Sequence, residues 1–473
     1  MPNHRPPSPR RKQWHAWVEP SAAYKYLGIY EAIVADVACG RLQPGDPLPP
    51  QRALAATLGV DLTTVTKAYG KAREEGVIET RTGSGTCIAG GSSSTRSESV
   101  ELDILDLSKN SPPRPTGHDI NAMIAREISR AFAGHGQIAS FNYQETGGNF
   151  HNRQAGAFWL NTRLQNVPVN RVILTSGAQS ALYALCQLLS RKSKYFAVAQ
   201  FCYPGIHTIA RQLDLQLIPI AMDQEGMIPE AFEAACDQYP IAALYVVPNI
   251  DNPTTTTLPE IRRQRLVDIA RKHNVSLIED DPYFAISAGT ITPLGDIAPE
   301  RTWHIATLSK CATPALRLAY LLAPDSESAQ LVAATIQAMT MMVSPLLAEL
   351  ASQWINSRLL DEITGAIREE NFERLKLAQH AFDGMNFKAP SQGSHIWLPL
   401  PAPWQALDFA HQAERQNIRL LPASSFSPSP GRESAEAVRI SLGSADDRIV
   451  LADGLKTLRK ILDQSQPVYQ AIV

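Results

Sequence analysis

The chain reads as an α/β protein with a small helical module ahead of it and a smaller α+β region behind it. Between residues 172 and 322, seven short apolar runs suited to buried strands alternate with helical stretches: Val172–Thr175, Tyr195–Ala199, Leu215–Ile220, Ala242–Val247, Ser276–Glu279, Trp303–Thr307 and Leu318–Leu322. That alternation is the pattern of a largely parallel sheet covered by helices. Residues 89–101 (Ala-Gly-Gly-Ser-Ser-Ser-Thr-Arg-Ser-Glu-Ser-Val-Glu) are small, polar and without period, as a flexible linker requires. From about Ser344 the alternation gives way to long helical patterns (Pro345–Arg358, Asp361–His380), short strands near His395–Leu398 and Val438–Ser441, and a last helix from Ala445 to about Leu462. No internal repeat is visible.

Taken in chain order, residues 1–20 are basic and Pro-rich, with no long apolar run after them, so they read as a flexible arm and not as a secretory signal or membrane span. Residues 21–88 carry three helical patterns (about Tyr24–Cys39, Gln51–Leu58 and Leu62–Glu75) and then two extended runs, Ile78–Arg81 and Thr86–Ile88, joined at Gly83-Ser84-Gly85. The linker occupies 89–102 and the α/β and α+β regions fill 103–473. Residues 1–90 hold 11 Lys/Arg against 8 Asp/Glu, about +3, and the rest of the chain is about −5. This asymmetry allows nucleic-acid contact at the N-terminal end. Six scattered cysteines with no C-x-x-C pair point to reduced thiols in a cytoplasmic setting and to no metal site.

The third helical pattern places Leu62, Val65, Tyr69 and Ala72 on one face and Thr63, Thr64, Lys67 and Lys71 on the other. A small, basic face of this kind suits a recognition helix, with hydroxyls near its N-terminus and lysines for phosphate. Gln51 and Arg52 open the preceding helix, where free N–H groups and a guanidinium are available to phosphate. A small helical interaction domain with a solvated face fits the periodicity equally well.

The densest chemical signal is Thr307-Leu308-Ser309-Lys310-Cys311-Ala312-Thr313-Pro314-Ala315-Leu316-Arg317. Its amine, hydroxyls and guanidinium are spaced to hold pyridoxal 5'-phosphate. An unprotonated lysine forms a Schiff base with an aldehyde, and a guanidinium suits bidentate phosphate binding. Asp280, ending a buried-looking strand, can keep a pyridinium nitrogen protonated, and Tyr283 and Asn252 can hydrogen-bond the ring's 3-oxygen. Gly177-Ala178-Gln179 turns from strand to helix, a place for phosphate. Tyr203 can stack on the ring. Arg439, a charge inside a strand pattern, needs an anionic partner, supplied either by a ligand carboxylate or by a structural acid. Each motif alone also has an ordinary structural explanation.

Two family resemblances add to this reading. From Tyr24 to Ile88 the runs L-Q-P-G-D-P-L-P-P-Q-R-A-L-A-A-T-L-G-V, T-T-V-T-K-A-Y, G-V-I and T-G-S-G-T resemble the GntR-type winged helix–turn–helix, which implies double-stranded DNA as partner and puts Gly83 and Ser84 in the wing. Asp61-Leu62 stands where that family usually carries Ser-Arg, so a customary basic contact is missing, although Asp61 remains suited to cap the helix. Over about 103–465 the order Y-x-x-x-x-G (Tyr143, Gly148), S-G-A-Q, Y-P-G, N-P-T, E-D-D-P-Y, L-S-K with Arg seven later, and V-R-I resembles the fold-type I aminotransferases. The resemblance implies a mixed, mostly parallel sheet plus a small α+β subdomain. It makes Lys310 the Schiff-base lysine, Asp280 the pyridinium partner, Asn252 and Tyr283 ring-oxygen contacts and Tyr203 the stacking ring. Ala178, Gln179, Thr307 and Arg317 become phosphate contacts, Arg439 a carboxylate clamp, and Tyr143 a contact to the neighbouring subunit's phosphate. Thr255, Ala319 and Ala199-Gln200-Phe201 depart from that family's usual Gly, Gly and acid-x-Pro.

A GntR-like reader joined to an aminotransferase-like domain resembles the MocR group of transcription regulators. The resemblance implies a homodimer with exchanged heads that senses a small amino compound through its cofactor domain. The alternatives are a working aminotransferase with an incidental head and a cofactor-free regulator that uses the fold for dimerisation.

Overall fold

The computed structural model describes residues 25–38, 41–43, 45–81, 85–89, 104–115, 119–132, 142–287, 291–390, 392–428 and 435–464. The basic arm, Gly83 and Ser84 of the expected wing, and nearly all of the expected linker lie outside them. The chain divides into two compact units, 1–101 and 102–473.

The first unit holds α1 (Lys25–Ala38), α2 (Gln51–Leu58), α3 (Leu62–Glu74) and the antiparallel pair β1 (Ile78–Arg81) and β2 (Gly85–Ile88). Ile29 and Ile33 from α1, Leu54 from α2, and Val65, Ala68, Tyr69 and Ala72 from α3 form its core. Pro49-Pro50 precede α2, and Gly59 ends it in the left-handed conformation. The Tyr69 hydroxyl donates to the Pro49 carbonyl at 2.8 Å, tying the third helix to the turn before the second. Two expectations need correction. Leu62 is 41% exposed and does not join the core, because the first residue of α3 overhangs the packed face. Asp61 occupies the N-cap with extended backbone, but its side chain makes no capping hydrogen bond.

The second unit opens with β3 (Leu105–Asp106), α4 (Ile120–Phe132) and α5 (Phe150–Leu160). Its large subdomain continues through β4 (Val172–Thr175), α6 (Ala178–Leu189), β5 (Tyr195–Ala199), α7 (Pro204–Leu213), β6 (Gln216–Ile220), the short pair β7 (Met222–Asp223) and β8 (Gly226–Met227), α8 (Pro229–Gln238), β9 (Ile241–Val246), α9 (Glu260–Lys272), β10 (Ser276–Asp280), α10 (Leu294–Ile297), β11 (Thr302–Thr307) and β12 (Ala319–Leu322). The seven-stranded sheet runs β4-β12-β11-β10-β9-β5-β6. Only β12 is antiparallel to its neighbours, so the sheet is mixed and mostly parallel. The expected strands form within a residue or so of their predicted limits. β9 stops at Val246 because Pro248, two residues on, has no N–H to continue the ladder.

Three helices lead to the small subdomain: α11 (Ser326–Thr340), α12 (Pro345–Asn356) and α13 (Leu359–Ala381). That subdomain comprises β13 (His395–Pro399), α14 (Ala406–Arg415), β14 (Ile418–Arg419), β15 (Leu421–Pro422), β16 (Ala437–Ser441) and α15 (Arg448–Asp463). β13, β16 and β15 form an antiparallel sheet with its own apolar core, and β14 pairs with β3. The last helix begins at Arg448 and not at Ala445, because the Asp447 carboxylate accepts from the N–H groups of Ile449 and Val450 at 2.8 Å each.

A strap of residues 107–113 crosses the end of β16. The Ser441 N–H donates to the Leu107 carbonyl at 2.9 Å. At Gly443 a Cβ would fall inside the envelope of the Ser111 carbonyl oxygen and 3.0 Å from the Pro113 nitrogen. Gly443→Ala is therefore expected to lose about 1–3 kcal/mol in urea unfolding, since backbone on both sides resists the added methyl.

Candidate functional site

Five turns at the C-terminal ends of parallel strands or of β4 converge in one cleft, the usual ligand position in an open α/β sheet. β10 ends at Asp280, 7% exposed and neighboured by Asp281 and Tyr283. Its Oδ2 accepts from the Tyr245 hydroxyl on β9 at 2.9 Å, while its Oδ1 is buried with no hydrogen-bond partner. Burial pushes the carboxyl up to about 6, and nearby Asp281 adds to that shift. A buried carboxylate oxygen without a donor is what a protonated ring nitrogen would satisfy.

β11 leads through Thr307 to Lys310. The Lys310 ammonium donates to the main-chain carbonyl of Asn110 in the strap. Burial, then the Arg439 guanidinium, lower its pKa to about 8, while Asp280 works in the opposite sense. Lys310 therefore holds a far larger fraction of free amine at neutral pH than a surface lysine does. Thr307 is buried; its hydroxyl bonds the Leu318 carbonyl at 3.1 Å and the Ser309 hydroxyl at 3.0 Å, which leaves half-buried Ser309 as the outer hydroxyl of the pair.

Gly177, with φ +88°, opens α6. The Arg317 Nη2 lies 3.2 Å from where a Cβ at Gly177 would stand, so the guanidinium closes tightly over a turn whose positive φ itself favours glycine. The first-turn N–H groups of Ala178 and Gln179 have no acceptor within the helix, which makes the turn and Arg317 an anion cradle. The Gln179 side chain donates to the Gly205 carbonyl at 3.1 Å and does not point its amide donor into the cradle. Tyr203, at the start of α7, is half-buried and within the electrostatic reach of Asp280, Arg317 and Arg439; burial raises its phenol.

Arg439 lies on β16 of the small subdomain and is 4% exposed. Its Nη1 donates to the Asn252 Oδ1 at 2.8 Å, its Nη2 to the Ser108 carbonyl, and its plane covers the Phe426 ring at 5.1 Å. Its Nε is buried without a partner, and no carboxylate among the described residues pairs with it. Burial draws its pKa down to about 10. Asn252 is thus held by Arg439 through its oxygen, with its amide nitrogen left to a ligand. Thr255 adopts φ +60°, the left-handed conformation in which the notably absent glycine would be unstrained. Ala319 is fully buried opposite Thr175 in the sheet.

The structure thus gathers Lys310, Asp280, Tyr283, Asn252, Tyr203, Ala178, Gln179, Thr307, Arg317 and Arg439 around one cleft. It does not gather Tyr143, which is 82% exposed. Sequence reasoning missed Tyr245, Asn110, Ser394 and His395. Tyr245 looks like any core residue of a strand, and Asn110 lies in a polar, Pro-rich run.

In the N-terminal unit, Arg52, Thr63 and Lys67 are exposed and Thr64 is half-exposed. Gln51 accepts from the Thr66 hydroxyl at 2.9 Å, which fixes α2 against α3. Lys71 bonds Glu75 at 3.0 Å and covers the Tyr30 ring at 5.0 Å, so this member of the expected basic face is already engaged within the unit.

A family model for aminotransferase class I and II matches residues 103–454, and one for bacterial regulatory proteins of the gntR family matches 25–88. The chain belongs to the aminotransferase class I and II family and carries a GntR head, which together make the MocR-type architecture. It is 28% identical over 95% of its length, and 97% of the relative's, to the HTH-type transcriptional regulator YdeF of Bacillus subtilis. It is 27% identical over 89% of its length, and 94% of the relative's, to the vitamin B6 salvage pathway transcriptional repressor PtsJ of Salmonella typhimurium. Among solved structures, LysN, the α-aminoadipate aminotransferase of Thermus thermophilus, superposes with a TM-score of 0.68 at 22% identity, covering 76% of this chain and 92% of that one. With the unpartnered Asp280 oxygen, the anion cradle and the lowered Lys310, the residues fit pyridoxal 5'-phosphate, the cofactor of this family.

The pH dependence of cofactor uptake follows from the Lys310 environment. The nucleophile is the free amine, so the uptake rate of the cofactor-free chain should rise with pH and level off above about 8, not above 10.5. Removing the second cation, in Arg439→Gln, should move that inflection upward. Stopped-flow absorbance across pH 6–10 (roughly the span these groups titrate) checks both.

Proposed function

We propose that the chain is a DNA-binding transcriptional regulator that senses an amino compound through its pyridoxal phosphate site. The observation that carries this is Arg439: a buried guanidinium, 4% exposed, with no acid beside it among the described residues and, nearby, the Lys310 amine of lowered pKa. A buried charge without its counterion is costly, and an incoming carboxylate would relieve it. That chemistry selects a molecule bearing both an amine and a carboxylate. The names of the relatives support the regulatory half of the reading, since YdeF and PtsJ share the head as well as the cofactor domain.

The cofactor, when bound, supplies an electrophilic aldehyde carbon and a pyridinium ring. The residues do the rest. Asp280 holds the ring proton, the Gly177 turn and Arg317 hold phosphate, Arg439 and Asn252 take the carboxylate, and Lys310 accepts or gives up a proton at its Nζ. Arg439 belongs to the small subdomain and Asn252 to the large one, so a carboxylate held by both favours one arrangement of the two. A tenfold change in DNA affinity requires that the effector distinguish two arrangements by about 1.4 kcal/mol. The working unit in this reading is a cytoplasmic homodimer with exchanged heads, in which the exposed Tyr143 reaches the partner's phosphate. Among the described residues no helix is long and apolar enough to cross a membrane. A second reading, transamination, draws on the lowered Lys310, which can move the proton that exchange of an amino group needs.

The test pairs gel retardation on promoter DNA with absorbance of the cofactor-loaded protein while amino acids are added singly. One amino compound should alter both the visible band and the retardation, and Arg439→Gln should abolish both responses. Turnover with a keto acid and no DNA binding at any salt would establish the enzyme instead. For the head, Lys67→Ala should lower the slope of log affinity against log salt by about one, the loss of a single phosphate contact.

A further inference from the structure

The side chain of the strap residue Asn110 makes three hydrogen bonds that join the two subdomains. Its Nδ2 donates to the Tyr283 hydroxyl at 2.7 Å and lies 3.2 Å from the His395 Nδ1. Its Oδ1 accepts from the Ser394 hydroxyl at 2.7 Å. Tyr283 belongs to the turn after β10, and Ser394 and His395 to the start of β13. Asn110 therefore sits between the ring-oxygen contact and the small subdomain, while its own carbonyl takes the Lys310 ammonium.

The direction of these bonds follows from one fixed acceptor. The His395 Nε2 lies 3.3 Å from the Asp251 carbonyl, which can only accept, so Nε2 carries the proton. His395 is fully buried, and burial together with Arg439 pulls its pKa down to about 3, so the ring is neutral and Nδ1 is an acceptor. The group facing Nδ1 must then be the Asn110 amide nitrogen. Its second hydrogen is turned to the Tyr283 oxygen, which accepts it. A phenol oxygen that accepts from Asn110 directs its own proton away from Asn110. The titratable or charged groups facing this relay are Arg439 on β16, Asp280 on β10, Asp251 after β9 and Lys310 after β11.

We propose that Asn110 is a positioning residue: with His395 and the Asp251 carbonyl it fixes the direction of the Tyr283 phenolic proton, and so sets the proton affinity at Lys310 in the loaded site. This rests on the reading of the site as one for pyridoxal 5'-phosphate. It also places the group that sets the tuning on the strap just after β3, which is the first described strand of the second unit.

The test uses the full chain loaded with pyridoxal 5'-phosphate and follows the visible band against pH, with cofactor affinity measured by equilibrium dialysis. Asn110→Asp has the same shape but cannot donate when ionised. It would turn the phenolic proton toward itself and add a negative charge near Lys310. Both effects raise proton affinity there, so the spectral midpoint should move up by about one pH unit or more. Asn110→Ala removes the donor without adding charge and should move the midpoint up by less. His395→Leu, which leaves Asn110 in place but unfixed, should shift it in the same direction. A filler of space would leave the midpoint where it is in Asn110→Ala and His395→Leu, neither of which adds a charge. If Asn110→Asp does not fold, the alanine and leucine variants carry the same test. Variants that bind the cofactor and titrate at the wild-type midpoint overturn the proposal alone. A wild-type chain with no visible band overturns the cofactor reading and this proposal with it.

Discussion

Two cations share one water-poor cleft, and the rest of the site is arranged around that opposition. Lys310 loses solvent and feels Arg439, and both effects favour its neutral amine. Arg439 is itself buried and draws its stabilisation from the Asn252 oxygen, the Ser108 carbonyl and the Phe426 face, none of them an anion. Asp280 is the counterweight, its carboxyl raised by burial to about 6 and held by the Tyr245 hydroxyl. An aldehyde for the amine, a ring nitrogen for the carboxylate and a ligand carboxylate for the guanidinium would satisfy all three at once. Burial makes each of these groups costly without a partner, so the site favours molecules that carry all three complements together.

The constraint is spread over separate parts of the fold. The sheet supplies Asp280 and Lys310 from adjacent parallel strands, paired from Leu277 opposite Thr302 to Asp280 opposite Ile305. The small subdomain supplies Arg439 and His395 from the antiparallel strands β16 and β13. The strap at 107–113 lies between them, and its carbonyls and one carboxamide touch members of both. Gly443 lets the strap lie this close. A ligand that takes over the bonds now made by the Ser108 and Asn110 carbonyls would act on the backbone that follows directly from β3.

Much of this was legible in the sequence, and for physical reasons. Strands buried on both faces must be short, continuous and apolar, so runs such as Ile241–Val246 and Thr302–Thr307 announce themselves. The cofactor residues follow strand ends, where motif order survives as chain order. What was hidden depends on distance and on local geometry. Asn110 meets Tyr283 across 173 positions and Ser394 across 284, and nothing in Ser-Lys-Asn-Ser-Pro-Pro announces such partners. Tyr245 is indistinguishable from a packing residue until its hydroxyl is seen on Asp280. Helical periodicity put Leu62 in the core, but it cannot tell that the first turn of α3 extends past the packed face. It likewise could not show that Lys71 is engaged by Glu75 and Tyr30.

In the proposed function, the Lys310 nitrogen is the point of covalent attachment for pyridoxal 5'-phosphate. Borohydride reduction of the cofactor-loaded chain, followed by proteolysis and mass spectrometry, tests it directly. The account predicts a phosphopyridoxyl group on the peptide containing Lys310. Label confined to other lysines, or none at all, would contradict it.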